Sequence, residues 1–206
     1  ETDVAVRRPD PSGRHEFSGI DKQPQSFIDV AAPGPHYGDG SGVRGDIIGD
    51  TQHHGGNDKA IYAYAREELD YWQSELSRPL ASGCFGENLT TQGVDLSALL
   101  INQRLRIGTA VLEVSVPRQP CSTFAGWLGE RGWLKRWTAR GDCGTYLRII
   151  SPGRIQPGDC ITMDAPPNHD ITMRIAFAAK MGNRTLAQRV IEAGCLPAHQ
   201  HNDLRS

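Results

Sequence analysis

Long apolar runs are missing. No stretch of the 206-residue chain approaches the roughly 20 consecutive apolar residues that span a bilayer, and mean hydropathy is −0.46, so no membrane helix is expected. Basic blocks are missing as well. With 22 Lys and Arg against 24 Asp and Glu, the net charge of −2 offers nucleic acid no electrostatic footprint. The five cysteines, Cys84, Cys121, Cys143, Cys160 and Cys195, are odd in number, widely spaced and never arranged as C-x-x-C. That pattern indicates neither a disulfide framework nor a zinc knuckle. No signal-peptide apolar core precedes Phe17, and free thiols suit a reducing compartment, so a cytoplasmic setting is expected. There is no internal repeat and no low-complexity tract.

What is present centres on Val111-Leu-Glu-Val-Ser-Val-Pro-Arg-Gln-Pro-Cys121. The β-branched run reads as a buried strand whose pairing ends near Pro117, because proline cannot donate to a ladder. Pro120 stiffens the backbone just before Cys121, and Arg118 brings a permanent cation close to the sulfur. Such surroundings favour a thiolate. An ordinary apolar cysteine after a strand is the competing reading of this stretch alone.

Short strands with Gly and Pro punctuation dominate the chain: residues 26–30, a short one at 43–48, a hairpin at 105–116 turning at Gly108-Thr109, then 144–151 and 159–163. That pattern points to a mainly β barrel or sandwich. Ile61, Ala65, Leu69, Trp72 and Leu76, spaced by four, four, three and four, predict a helix over residues 59–75 with Asn57 or Asp58 as N-cap. Gly55 and Gly56 would then hold bare amides at its positive end, suited to an anion; a solvated capping loop is the alternative. Short helices are expected from Phe124 and Trp133, and a helical appendage at 170–180 and 184–193, the second helix capped by Asn183 and stopped by Gly194. Within Phe85-Gly-Glu-Asn-Leu-Thr-Thr-Gln-Gly93, strand alternation turns either Glu87 or Asn88 inward, where a polar group needs a partner or a task. The expected organisation is a loose lead-in at 1–16 with room for a short strand at Val4-Ala-Val6, a barrel at 17–165 and a small helical module at 168–206.

Six motifs in order resemble the MOSC domain, the C-terminal fold of molybdenum cofactor sulfurases, in its bacterial stand-alone branch. They are Ser18-Gly-Ile-Asp-Lys22, Gly45-Asp46, His54-Gly-Gly-Asn-Asp-Lys-Ala60 with Tyr62 and Tyr64, Phe85 to Gly93, Pro117-Arg-Gln-Pro-Cys121, and Gly144 through Pro152-Gly153 to Gly158-Asp159. The resemblance implies a MOSC-type β-barrel with flanking helices. It also implies a molybdenum cofactor (molybdopterin), not pyridoxal phosphate, with Cys121 as the molybdenum ligand.

By that resemblance Ser18, Lys22, His54, Gly55, Gly56, Lys59, Glu87, Asn88 and Arg118 are the cofactor-binding candidates. Cys121, Asp58 and His54 are the catalytic ones. Dithiolene-bound molybdenum is soft enough to take a thiolate, and the cofactor's phosphate calls for N–H donors and cations. Breaking an N–O bond requires protons; His54, Asp58 and Glu87 compete for that role, with Asp58 and His54 favoured and Glu87-Asn88 as orienting groups.

The implied activity is reduction of a small N-hydroxylated substrate, such as a hydroxylaminopurine-like base. Electrons would come from a separate reductase, since the chain has no flavin or nicotinamide fingerprint. Neither nucleic acid nor membrane is an expected partner, and the protein would be a monomer or homodimer. The alternative is a non-redox carrier of sulfur or cofactor using a Cys121 persulfide; a Cys121–His54 hydrolase is a third reading. The chain departs from its relatives in carrying Ile47-Ile48 after Gly45-Asp46, an added Asp50, a glycine-rich loop at 31–42, and a short polar end in which a third appended helix is not expected.

Overall fold

The computed structural model describes residues 1–205. Its strands are β1 (Asp3–Ala5), β2 (Arg8–Pro9), β3 (Phe17–Ser18), β4 (Lys22–Pro24), β5 (Ile28–Val30), β6 (Ile61–Ala65), β7 (Leu89–Thr91), β8 (Arg104–Ile107), β9 (Ala110–Val114), β10 (Thr145–Ser151), β11 (Gly153–Ile155) and β12 (Ile161–Met163). Six of them form one curled half-barrel sheet in the order β12-β8-β9-β10-β6-β7, antiparallel except for β6 beside β7. The pairs β1-β4, β11-β5 and β2-β3 make three small two-stranded sheets. The helices are α1 (Arg66–Leu76), α2 (Ser122–Leu128), α3 (Trp133–Arg140), α4 (Met173–Lys180), α5 (Arg184–Ala193) and α6 (Ala198–Asp203). The mainly β class is therefore as expected.

The helix expected over residues 59–75 is in fact a strand followed by a helix. Residues 57–59 make one 3-10 turn, β6 runs between β10 and β7 with all five residues buried, and α1 starts only at Arg66. A strand buried on both faces is apolar throughout, so Ile61 and Ala65 matched a helical stripe by coincidence of spacing. Leu69 and Trp72 are the true inward face of α1. Gly55 and Gly56 consequently precede only a single 3-10 turn, which Gly56 caps, and not an α-helix.

Residues 1–16 carry the short strand expected near residues 4–6, as β1, and are otherwise tied down more firmly than a loose segment. Ala5 pairs with Lys22, Thr2 bridges to Leu89, and the Asp3 amide donates to Asn88 O at 2.9 Å, so backbone pairing anchors a stretch with little apolar content. In place of the strand expected at 43–48 there is a single bridge from Val43 to Val30. The third appended helix, not expected, is α6.

The strand leading to Cys121 behaves as its composition implies. Ladder bonds run on from β9 to Ser115 N→Tyr146 O (2.9 Å) and Tyr146 N→Val116 O (3.1 Å), then stop before Pro117. Beneath the sheet, aromatic rings stack edge to face from α1 to α4: Trp72–Trp133 at 4.6 Å, Phe124–Trp133 at 5.3 Å, Phe124–Trp137 at 5.5 Å and Trp137–Phe177 at 5.6 Å between centroids. Rings in this geometry contribute about 0.5–1.5 kcal/mol per pair beyond their buried area. The chain of rings makes the packing of α4 continuous with that of α1, α2 and α3.

Candidate functional site

The end of the Cys121 strand opens on a hollow of about 110 Å³ that widens to about 720 Å³ when its open mouth is included. Ser18, Lys22, Asp46, His54, Gly55, Lys59, Asn88, Arg118 and Cys121 all line it, with Tyr62 and Tyr146 from the neighbouring strands β6 and β10. Phe17, Ile20, Ile47 and Ile48 form an apolar part of the wall. Segment 46–50 presses directly on residues 17–19. A Cβ on Gly49 would sit 2.0 Å from Phe17 O, and one on Gly19 would sit 2.1 Å from Ile47 O, so only glycine permits this closeness. A second cleft, about 380 Å³, holds Glu67, Glu68, Asp95, Arg140, Asp142 and Arg174. Its arginines are spent on Glu68 and Asp142, and it has neither a sulfur nor an imidazole.

Asp46 organises the inner wall. Its carboxylate accepts Lys22 Nζ at 2.6 and 2.7 Å, the Ala5 amide at 2.8 Å, Ser41 Oγ at 2.9 Å and Asn88 Nδ2 at 3.0 Å. The side chains of Lys22 and Asp46 are only 6% and 3% exposed. A buried carboxylate persists when donors and a counter-charge replace its water. Lys22, expected to meet a phosphate, thus has its charge neutralised within the wall. Asn88 is fully engaged too, its Oδ1 taking the Tyr62 amide at 3.2 Å.

The positive charge left facing the hollow comes from Arg118 and Lys59; Asp50, also in the lining, is taken up by the Gln52 and His53 amides and the His53 ring. Arg118 is 5% exposed, donates through Nη1 to Phe85 O, and lies over the Phe124 and Tyr62 rings at 4.2 and 4.7 Å. Burial opposes its charge, but Tyr62, Tyr146 and Cys121 hold the guanidinium above its ordinary pKa. Its buried Nε has no hydrogen-bond partner among the described residues. Lys59 Nζ donates to His53 O at 2.6 Å, and burial pulls its pKa down to about 8 against the opposing influence of Asp50. His54 Nδ1 lies 3.1 Å from Tyr146 Oη; burial, then the Lys59 and Arg118 cations, depress the imidazole to about 3 and keep it neutral.

Three expected site residues lie outside the hollow. Asp58 accepts Arg148 Nε at 2.6 Å, and Arg148 also reaches Glu113 at 2.9 Å and Asn102 at 3.1 Å. Glu87, fully buried, shapes its own loop by accepting the Gly83 and Phe85 amides at 2.8 and 2.9 Å and the Thr90 hydroxyl at 3.2 Å. Gly56 gives its amide to Gly40 O at 2.9 Å, and a Cβ there would meet His36 O at 2.1 Å. The hollow has instead gained Asp46, Tyr146 and Ser41, to which no role was assigned. Asp46 stood in a recognised motif, but its role depends on donors 5, 22, 41 and 88 meeting in space. Tyr146 becomes visible only through its register opposite Tyr62.

The MOSC domain family model matches residues 50–162, more than half of the chain. This chain belongs to the MOSC domain family. YflK of Bacillus subtilis is 40% identical over 155 residues, covering 74% of this chain and 70% of YflK. YiiM of Escherichia coli is 31% identical over 117 residues, 55% of this chain and 52% of that protein. A Gibberella moniliformis protein named reductase is 31% identical over 135 residues, 63% of this chain but 24% of its own length. The solved YiiM of Geobacillus stearothermophilus superposes with TM-score 0.75 at 25% identity, covering 99% of this chain and 95% of that one. The solved Escherichia coli YiiM, at 21% identity and TM-score 0.71 over 97% and 91% of the two chains, shares the fold.

The donor set of this MOSC hollow fits an anionic, metal-bearing cofactor. Arg118 Nε is an orphaned buried donor, and buried donors are almost always paired in a complete site. Among the described residues no three His, Cys, Asp or Glu side chains gather to hold a metal alone, so a metal at Cys121 would take its other ligands from outside the chain. Among those residues, too, no helix is long and apolar enough to cross a membrane.

Two outcomes follow from this wall. Asp46→Ala strands the Lys22 ammonium in a buried position and should cost about 3–5 kcal/mol in chemical denaturation, most of it recovered in Asp46→Ala/Lys22→Met; equal losses in both variants would refute the neutralised pair. The His54 imidazole should show no NMR titration between about pH 5 and 8, whereas a titration near the ordinary histidine value would show that it is not enclosed.

Proposed function

We propose that the hollow holds a molybdenum cofactor with the Cys121 sulfur as the protein's ligand to the metal, and that the protein reduces N-hydroxylated compounds such as hydroxylaminopurine-like bases. The observation that carries the reading is one hollow shared by Cys121, the unpartnered Arg118 Nε and Lys59. A family relative named reductase supports the redox side. A separate reductase would supply electrons.

When bound, the cofactor supplies the electron pair that breaks the substrate's N–O bond. The balance is R–NHOH with two electrons and two protons giving R–NH₂ and water, so the residues of the chain must bind, exclude solvent and deliver protons. Arg118 is suited to the cofactor's anionic group: its charge is fixed, its Nη1 is anchored on Phe85 O and its Nε is uncommitted. Ser18, whose Oγ already accepts the Ile20 amide at 3.1 Å, retains its hydroxyl proton to donate. Phe17, Ile47 and Ile48 shield the mouth from water.

Proton delivery falls to a different residue from those first considered. Asp58 is committed to Arg148, and neutral His54 is too weak a base to be charged near pH 7. Lys59 lines the hollow and, with its pKa lowered to about 8, is an ammonium acid enough to give up a proton to a departing hydroxyl. His54, held on Tyr146, is suited to orient the substrate through hydrogen bonds.

Protein made in a cofactor-competent host should carry molybdenum in proportion to polypeptide and lose it in Cys121→Ser, while consuming an N-hydroxylated base when supplied with electrons. Absence of molybdenum from both proteins, with persulfide found on Cys121, would favour a sulfur carrier. Lys59 acts in its charged form, so turnover should fall as pH rises through about 8, and Lys59→Met should lower kcat by roughly a hundredfold or more; an unchanged alkaline limb in that variant would remove Lys59 from the proton path.

A further inference from the structure

Beyond the hollow itself, one contact joins it to the C-terminal helices. Residues 33–42 lie along the glycine turn, tied by Gly38 N→His54 O, Gly56 N→Gly40 O and Asn57 N→Gly34 O, each 2.9 Å. Tyr37 projects from this loop, and its ring lies 4.6 Å from Lys59 Nζ, which also stands 5.5 Å from the Tyr146 ring. The Tyr37 hydroxyl is held from α6. Gln200 Nε2 donates to it at 3.0 Å, and His199 Nε2 lies 2.7 Å away, with the His199 and Tyr37 rings edge to face at 5.1 Å.

The direction of these bonds is consistent. With Gln200 donating, the phenol's own proton is directed to His199 Nε2, an assignment made from the hydrogen-bond network. The proton left on His199 Nδ1 then faces Asp58 Oδ2 at 3.9 Å, the carboxylate that Arg148 fixes through its other oxygen. Burial raises the Tyr37 phenol to about 12, so it remains a donor. Helix α6 is itself fastened to α4: Lys180 Nζ, on a side chain only 3% exposed, donates to Gln200 O and Asp203 Oδ2, both at 3.0 Å. A hydroxyl with two partners, the buried Gln200 and the half-exposed His199, on a ring placed against a cation, is a strut at the rim of the site.

We infer that α6 belongs to the working site: His199 and Gln200 clamp Tyr37, and Tyr37 is a positioning residue that holds the Lys59 ammonium toward the anion-binding hollow. The role of that hollow rests on the function proposed above, whereas the clamp stands on its own contacts. The C-terminal module is then a support for the site, and its loss would be felt first at Lys59.

The chain has four lysines, Lys22, Lys59, Lys135 and Lys180, so protein labelled with 13C-lysine, prepared without cofactor, gives an NMR spectrum in which Lys59 is readily assigned by substitution. The Tyr37 and Tyr146 rings should displace the Lys59 ε-methylene protons upfield. In His199→Ala/Gln200→Ala that displacement should fall by half or more, and inorganic phosphate should bind roughly fivefold more weakly, the loss expected for one mispositioned donor. Tyr37→Phe, which keeps the ring and disturbs packing least, should resemble the double variant rather than the parent; Tyr37→Leu should leave only the part of the displacement due to Tyr146. An unmoved Lys59 resonance in both the double variant and Tyr37→Phe overturns the inference, as does a moved resonance with unchanged phosphate affinity. If the parent protein binds no phosphate at all, the proposed cofactor site fails, and the resonance alone decides the clamp.

Discussion

The Asp46 carboxylate is the interaction on which the site depends. It gathers the Ala5 amide, the Lys22 ammonium, the Ser41 hydroxyl and the Asn88 amide, drawing together β1, β4, the loop before β6 and the loop before β7. The strands β1 and β4 are only three residues each and are held to each other mainly by backbone pairing. The strands of the six-stranded sheet pair among themselves, but without this carboxylate the wall of the hollow could not close. Because the pair is buried, its geometry is enforced by desolvation: either charge alone in that place would be expensive, so the segments that supply the donors are held to one arrangement. Lys22, its charge met by Asp46, is thereby part of the framework of the hollow.

The same economy leaves a particular set of groups facing the hollow. Arg118 keeps its charge in a nearly closed setting through aromatic faces on two sides and a backbone carbonyl, with one N–H uncommitted. His54 is neutral and Lys59 is weakened as a base by the same two influences, burial and neighbouring cations. A sulfur at the end of a stiff strand, a permanent cation with a free donor and an ammonium whose pKa burial lowers to about 8 form a constellation suited to binding an anion and moving a proton. Perturbed groups brought together in a cleft are a mark of functional sites.

Much of this was legible in the chain, and the failures have physical causes. The strand to Cys121 was readable because β-branched residues and Pro117 speak locally, and α5 because Asn183 and Gly194 cap it within one turn. Ser18, Gly55, Lys59, Arg118 and Cys121 were rightly placed around one hollow, though only their order in a family pattern brought them together. The strand β6 is hidden because a doubly buried strand carries no alternation, and the anchoring of the lead-in beyond its short strand is hidden because backbone pairing leaves no compositional trace. Asp58 and Glu87 were misplaced for a shared reason. A carboxylate beside a glycine turn looks equally suited to catalysis or to bonding Arg148 or the amides of its own loop, and only the partner's position decides.

Everything rests on the Cys121 sulfur facing a bound metal across the hollow that Asp46 closes. X-ray absorption at the molybdenum edge, on protein loaded with cofactor, tests this directly by counting sulfur neighbours. The account requires one sulfur beyond those of the dithiolene, lost when Cys121 is replaced by serine; identical sulfur counts in the two proteins would contradict it.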